Sequence, residues 1–199
     1  MITDINQLDL SKRYTYAEYL NWQFDEVVEL IRGKVFRMSP SPSTSHQRLS
    51  GNLFRLIANY LVGKPCQVFA ALFDVRLPLP PGRQTSDQID TVVQPDISII
   101  CDSAKIDERG CQGAPDWIVE ILSKGTASKD LTEKYQLYEH AGVREYWVAH
   151  PHEGTLLIYR LNENGRYQLL RQTPFTREEK APSGIFPEFK VDLAEVFEE

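Results

Sequence analysis

Apolar residues recur along the chain at two spacings, one helical and one of strand type. Thr15 followed three residues later by Glu18 matches a capping box, and Tyr16, Tyr19 and Leu20 give a short helix its apolar face. Residues 27–31 and 34–38 are β-rich runs on either side of Arg32-Gly33, which predicts a hairpin with a tight turn. After a Ser-Pro loop at 39–43, Thr44 and Gln47 open a long helix. Its apolar positions Leu49, Leu53, Leu56, Ile57, Tyr60 and Leu61 recur at helical spacing until Gly63 and Pro65 end it. Residues 66–71, 74–79, 94–101 and 117–122 are apolar runs of strand length bounded by Pro, Gly or Asp, and together they predict one central sheet. Residues 130–141 are helical, with Leu131, Tyr135, Leu137, Tyr138 and Ala141 apolar and Gly142 as the stop. A strand at 145–149, a hairpin pairing 155–161 with 166–171, and a short last helix begun by Asp192 and Glu195 complete the pattern.

Strands interleaved with helices make this an α/β (α+β) chain, with a mixed sheet flanked by helices and additional hairpins. The 199 residues suit a single domain over 1–199, and there is no repeat or low-complexity tract. With 42% hydrophobic and 25% charged residues, the composition is that of an ordinary globular protein. No run approaches the roughly 18 apolar residues of a membrane span, and Met1-Ile2-Thr3-Asp4 lacks the features of a signal peptide, so a cytoplasmic location is expected. Cys66, Cys101 and Cys111 are odd in number and far apart, which points to reduced thiols. A net charge of -6 argues against broad, nonspecific adhesion to nucleic acid. It leaves open a carboxylate site that meets phosphates through a metal and a few bases.

Two acids stand where apolar residues are expected. Asp96 lies at the entrance of the 94–101 run, and alternation places Glu120 on the same strand face as Ile118 and Leu122. A buried carboxylate needs a cation, a donor or a proton. A divalent metal shared by Asp96 and Glu120 satisfies both acids. An ion pair across the sheet, with Asp96 capping a turn, does so equally well, and spacing does not choose between them. Glu29 is a third acid in an apolar run, or else an edge-strand residue facing solvent. Lys134 is either a functional ammonium or a helix-surface partner of Asp130. His46, in the first turn of the long helix, is placed to meet phosphate or move a proton, although most lone histidines do neither. His140, His150 and His152 show no metal-ligand spacing. Tyr138 and Trp147 read as core residues rather than base-stacking ones. There is no phosphate-binding Gly loop, Gly-x-Ser-x-Gly elbow or His-Glu-x-x-His motif.

Pro95-Asp96, the Glu120 strand, residues 123–130, Lys134, Tyr138 and Gly142-Val143-Arg144-Glu145-Tyr146-Trp147 occur in an order that resembles the Uma-two family of the PD-(D/E)XK nuclease superfamily. The resemblance spans about 14–191 and implies a restriction-endonuclease-like core. In that core Asp96 and Glu120 hold Mg²⁺ or Mn²⁺ on neighbouring strands, with DNA as the expected substrate. It further implies that Lys134, Glu29 and His46 join Asp96 and Glu120 as candidate catalytic residues. The superfamily pattern places a lysine two residues after the glutamate, where this chain has Leu122. Lys134, from the next helix, is the expected replacement, ahead of Lys124 and Lys129. A binding or assembly module that has lost turnover, an enzyme for another phosphate ester, and a homodimer with two sites are the further expectations.

Overall fold

The structure, a computed structural model, describes residues 2–38, 42–81, 84–123 and 130–198. Most of the 39–43 loop and of the 123–130 motif, with Lys124 and Lys129, lies outside the described residues.

The first half begins with α1 (Tyr16–Tyr19), which starts as its sequence predicts: the Thr15 amide donates to the Glu18 carboxylate at 3.0 Å. Strands β1 (Val28–Ile31) and β2 (Lys34–Arg37) form the first hairpin. Its two turn residues, Arg32 and Gly33, both have positive φ, the geometry that fits a two-residue loop to twisted strands. Helix α2 (Thr44–Leu61) is capped one residue earlier than the sequence suggests: the Ser43 hydroxyl, rather than that of Thr44, accepts from the His46 amide at 3.2 Å. Then follow β3 (Gln67–Ala70), β4 (Val75–Arg76), β5 (Val92–Val93), β6 (Ile97–Ile100), β7 (Ile106–Asp107), β8 (Gly110–Gln112) and β9 (Trp117–Ile121).

In the second half a π-helical turn, Asp130–Lys134, leads into α3 (Tyr135–Ala141), which ends on left-handed Gly142. Strands β10 (Glu145–His150), β11 (Thr155–Leu161), β12 (Tyr167–Leu169), β13 (Phe175–Thr176), β14 (Lys180–Pro182) and β15 (Lys190–Asp192) precede α4 (Leu193–Val196). The Asp192 carboxylate caps α4 by accepting from the Ala194 amide at 3.1 Å.

The strands do not make one central sheet. One sheet runs β2-β1-β5-β4-β8-β7, and a second runs β12-β11-β10-β9-β6-β3 with β13 beside β11. The run at 74–79 therefore belongs to a different sheet from the runs at 66–71, 94–101 and 117–122. Its strand is two residues long and pairs with β5, which is too short for alternation to reveal. Both sheets are mixed: β9 and β10 are parallel, whereas β6 and β9 are antiparallel.

Alternation on β9 sorts its residues into two cores. Trp117, Val119 and Ile121 join Leu49, Leu53 and Ile57 of α2 in one cluster. Ile118 and Leu122 join Leu137 and Tyr138 of α3 and Ile31, Val75 and Val93 of the first sheet in the other. The two sheets meet on this second face, the face that carries Glu120.

Register also corrects the reading of the cysteines. Gln67 pairs with Ile100, so the next positions outward, Cys66 and Cys101, are cross-strand neighbours, and a disulfide joins them. They are not reduced thiols. Cys111 is free and buried, with burial pushing its thiol up to about 12. Among the described residues no helix is long and apolar enough to cross a membrane.

Glu145, at the start of β10, ties the C-terminal segment to the second sheet. It is fully buried and accepts from Trp147 Nε1 at 2.6 Å and from the Ile185 amide at 2.8 Å. Burial holds its carboxyl above the ordinary range, so these donors do not fully offset the lost hydration. Glu145→Ala strands the buried Trp147 indole donor, while the Ile185 amide keeps Ser183 Oγ, and is expected to cost about 1–3 kcal/mol of stability. The check is a lower urea midpoint with an unchanged slope.

Candidate active site

Asp96 and Glu120 meet because β6 and β9 are antiparallel. Ile97 lies opposite Val119, and one step outward Asp96 lies opposite Glu120. Asp96 Oδ2 accepts from the Ile121 amide at 2.7 Å, continuing the ladder where the strand pairing stops. Like charges at opposed positions are destabilising, so this end of the sheet calls for positive charge or donors.

Two side chains approach. His46, in the first turn of α2, places Nε2 3.3 Å from Asp96 Oδ1. Lys134 comes from the π-helical turn before α3, and its ammonium lies 2.8 Å from Glu120 Oε1 and 2.9 Å from Glu29 Oε1. Glu29 is 1% exposed, Glu120 3% and Lys134 4%. An ammonium buried to that degree requires carboxylate partners, and Lys134 has one from each sheet. Extra backbone at a π-helical turn shifts the direction of its side chains, and such turns recur at functional sites.

The five residues singled out in the sequence thus gather at one place, as one touching pair and one bridge. Asp96 is beside His46, and Lys134 joins Glu120 to Glu29. Glu29 is not an edge residue, since β1 runs between β2 and β5. Lys134 is not a surface residue: it is buried against two acids. Leu122, at the superfamily's lysine position, packs in the core with Leu137 and Tyr138. The ammonium reaches the Glu120 carboxylate from the helix instead.

Sequence reasoning missed three neighbours. Tyr138 is a core residue as expected, yet its hydroxyl also donates to Glu120 Oε1 at 2.7 Å. Burial beside Glu120 raises its phenol well above the ordinary value, so it stays a neutral donor. The spacing of four residues from Lys134 is the signal that would have found it. The Gln94 amide donates to Glu29 Oε1 at 3.2 Å, and Gln94 Nε2 donates to Asp74 Oδ1 at 2.7 Å. Burial raises the Asp74 carboxyl. Gln94 sits on the Pro95-Asp96 motif, but nothing in its spacing marks a contact with β1.

Chemically, the site is a set of hard oxygen donors with one ammonium and one imidazole. Three carboxylates stand against those two bases, an arrangement suited to a hard cation and to a phosphate that the bases attract.

The mixed α+β fold is one found among nuclease-type proteins, as comparison with known families and structures shows. The model of a family described as "Uma2: Putative restriction endonuclease" matches residues 16–194, and the chain belongs to this family. The fold is shared with a crystal structure from Anabaena variabilis ATCC 29413, titled a putative nuclease belonging to DUF820. The TM-score is 0.68 at 21% identity, with 92% of this chain and 97% of that one covered. A Synechocystis relative, "Uncharacterized protein slr1290", is 26% identical over 179 residues, 88% of each chain.

Replacing Lys134 with the apolar Met removes the cation between Glu29 and Glu120. The expected loss is about 3–5 kcal/mol, since breaking one side of a buried ion pair leaves uncompensated charge. Urea denaturation of the metal-free protein checks this, and a loss under about 1 kcal/mol would contradict it.

Proposed function

We propose that the chain is an endonuclease that hydrolyses DNA phosphodiester bonds with Mg²⁺ or Mn²⁺ held by Asp96 and Glu120. The observation that carries this is the opposed placement of the two carboxylates with the Lys134 ammonium bonded to one of them. Membership of a restriction-endonuclease family supports the same reading.

The donor set fits the ion. Among the described residues no group of three His, Cys, Asp or Glu is gathered as a metal cage. Mg²⁺ does not require one, because it is commonly held by one or two carboxylates and completes its shell with water and substrate phosphate. Bound there, the ion would polarise the phosphodiester and make its water more acidic.

The chain's own residues supply the rest. Lys134, held between Glu29 and Glu120, orients the attacking water or meets negative charge developing on the phosphorus oxygens. Glu29 holds Lys134 in that position. His46 supports Asp96 and places an imidazole where a proton is to be moved. The positive end of α2, in whose first turn His46 lies, favours an approaching phosphate. With a net charge of -6, binding of DNA depends on this local arrangement rather than on a broadly basic surface.

A single domain in the cytoplasm, working as a homodimer that offers one site to each strand, completes the proposal. Leu122 at the superfamily's lysine position favours one other reading, a binding or assembly module on the same fold that has lost turnover.

Calorimetric titration of Mg²⁺ and Mn²⁺, with plasmid nicking measured on the same samples, tests the proposal. Asp96→Asn and Glu120→Gln should each weaken metal binding at least about a hundredfold and abolish nicking. Metal binding without nicking by the wild type would support the module instead. Nicking retained by Asp96→Asn would overturn the assignment.

A further inference from the structure

A carboxylate that shares a metal with an acid on the next strand works best when its plane is fixed before the ion arrives. Otherwise, part of the binding free energy is spent on ordering it. Glu120 receives two donors on the same oxygen, Lys134 Nζ at 2.8 Å and Tyr138 OH at 2.7 Å. They differ in what they can fix. Lysine carries its charge on a flexible four-carbon stem, whereas tyrosine carries its hydroxyl on a rigid ring. The Tyr138 ring is fully buried and packs edge-on against Tyr146, with centroids 5.1 Å apart and planes at 71°. Its helix ends one turn later, where the amides of Gly142 and Val143 both donate to the Tyr138 carbonyl. The hydroxyl is therefore held from both the backbone and the ring.

We propose that Tyr138 is a positioning residue of this site, one that sets the orientation of the Glu120 carboxylate for metal through its hydroxyl. The inference rests on the reading of Asp96 and Glu120 as the metal carboxylates. A buried tyrosine need not do this, since its hydroxyl can be satisfied by a backbone carbonyl. Tyr167 does so, donating to the Val143 carbonyl at 2.9 Å from within the same core. Tyr138 and Tyr167 thus form a matched pair, in which one hydroxyl reaches the site and the other serves packing alone.

The experiment compares Tyr138→Phe and Tyr167→Phe, each of which keeps the ring and removes one buried hydroxyl. Mn²⁺ affinity is measured by calorimetry, the spectrum of bound Mn²⁺ by paramagnetic resonance, and plasmid nicking by steady-state kinetics, with thermal melts alongside. Tyr138→Phe should weaken Mn²⁺ about 10–100-fold, alter the Mn²⁺ spectrum, and lower kcat at an unchanged KM for plasmid. Tyr167→Phe should lower the melting temperature and leave the Mn²⁺ affinity and spectrum as they are. Tyr138→Phe that binds Mn²⁺ like the wild type would overturn the positioning role while leaving the metal site standing. An equal loss of affinity in both variants would also overturn it, because the effect would then be one of stability. A wild type that binds no Mn²⁺ would overturn the metal reading itself and this inference with it.

Discussion

The buried ammonium of Lys134 is the contact on which the arrangement depends. It joins Glu29, from an inner strand of one sheet, to Glu120, from an inner strand of the other, and it does so from the π-helical turn that leads into α3. Removing a charge from water costs several kcal/mol, which the attraction of two carboxylates offsets only if all three groups keep their geometry. Hydrophobic contact alone would allow the two sheets many relative positions. The ion triad allows few, and it holds Glu29 of the first sheet beside Glu120, which the β6–β9 pairing has already set opposite Asp96.

That constraint makes the local chemistry intelligible. Antiparallel pairing of β6 and β9 forces two carboxylates into opposition, a cost met on one side by His46 and on the other by Lys134 and Tyr138. Both bases come from helix beginnings, α2 for His46 and the π-helical turn for Lys134, and Tyr138 follows one turn further along α3. A site built in this way has its negative charge on rigid strands and its bases on helices that frame them, as catalysis by pre-oriented charge requires.

Much of this was legible in the sequence, and the limits have physical causes. The capping box at Thr15, the Arg32-Gly33 turn, the long helix and the Gly142 stop are local signals, read from spacing within a few residues. Asp96, Glu120 and Glu29 stood out as acids in apolar runs, because burial leaves such a residue in need of a partner. Which partner it finds is set by pairing between distant strands. Hence the division of one expected sheet into two, the two-residue strands β4 and β5, and the joining of Cys66 to Cys101 were out of reach. For Lys134, spacing left a surface pair and a functional ammonium equally open, and its burial between Glu29 and Glu120 is a tertiary fact that spacing does not carry. Tyr138 was correctly read as core, but its hydroxyl was overlooked because an apolar helix face shows where a ring goes and not where its polar tip points.

The most direct measurement is the anomalous scattering of Mn²⁺ in crystals of the wild-type protein. The account predicts one strong peak within coordination distance of carboxylate oxygens from both Asp96 and Glu120. A peak elsewhere, or no peak while Asp96 and Glu120 keep their contacts with His46 and Lys134, would contradict it.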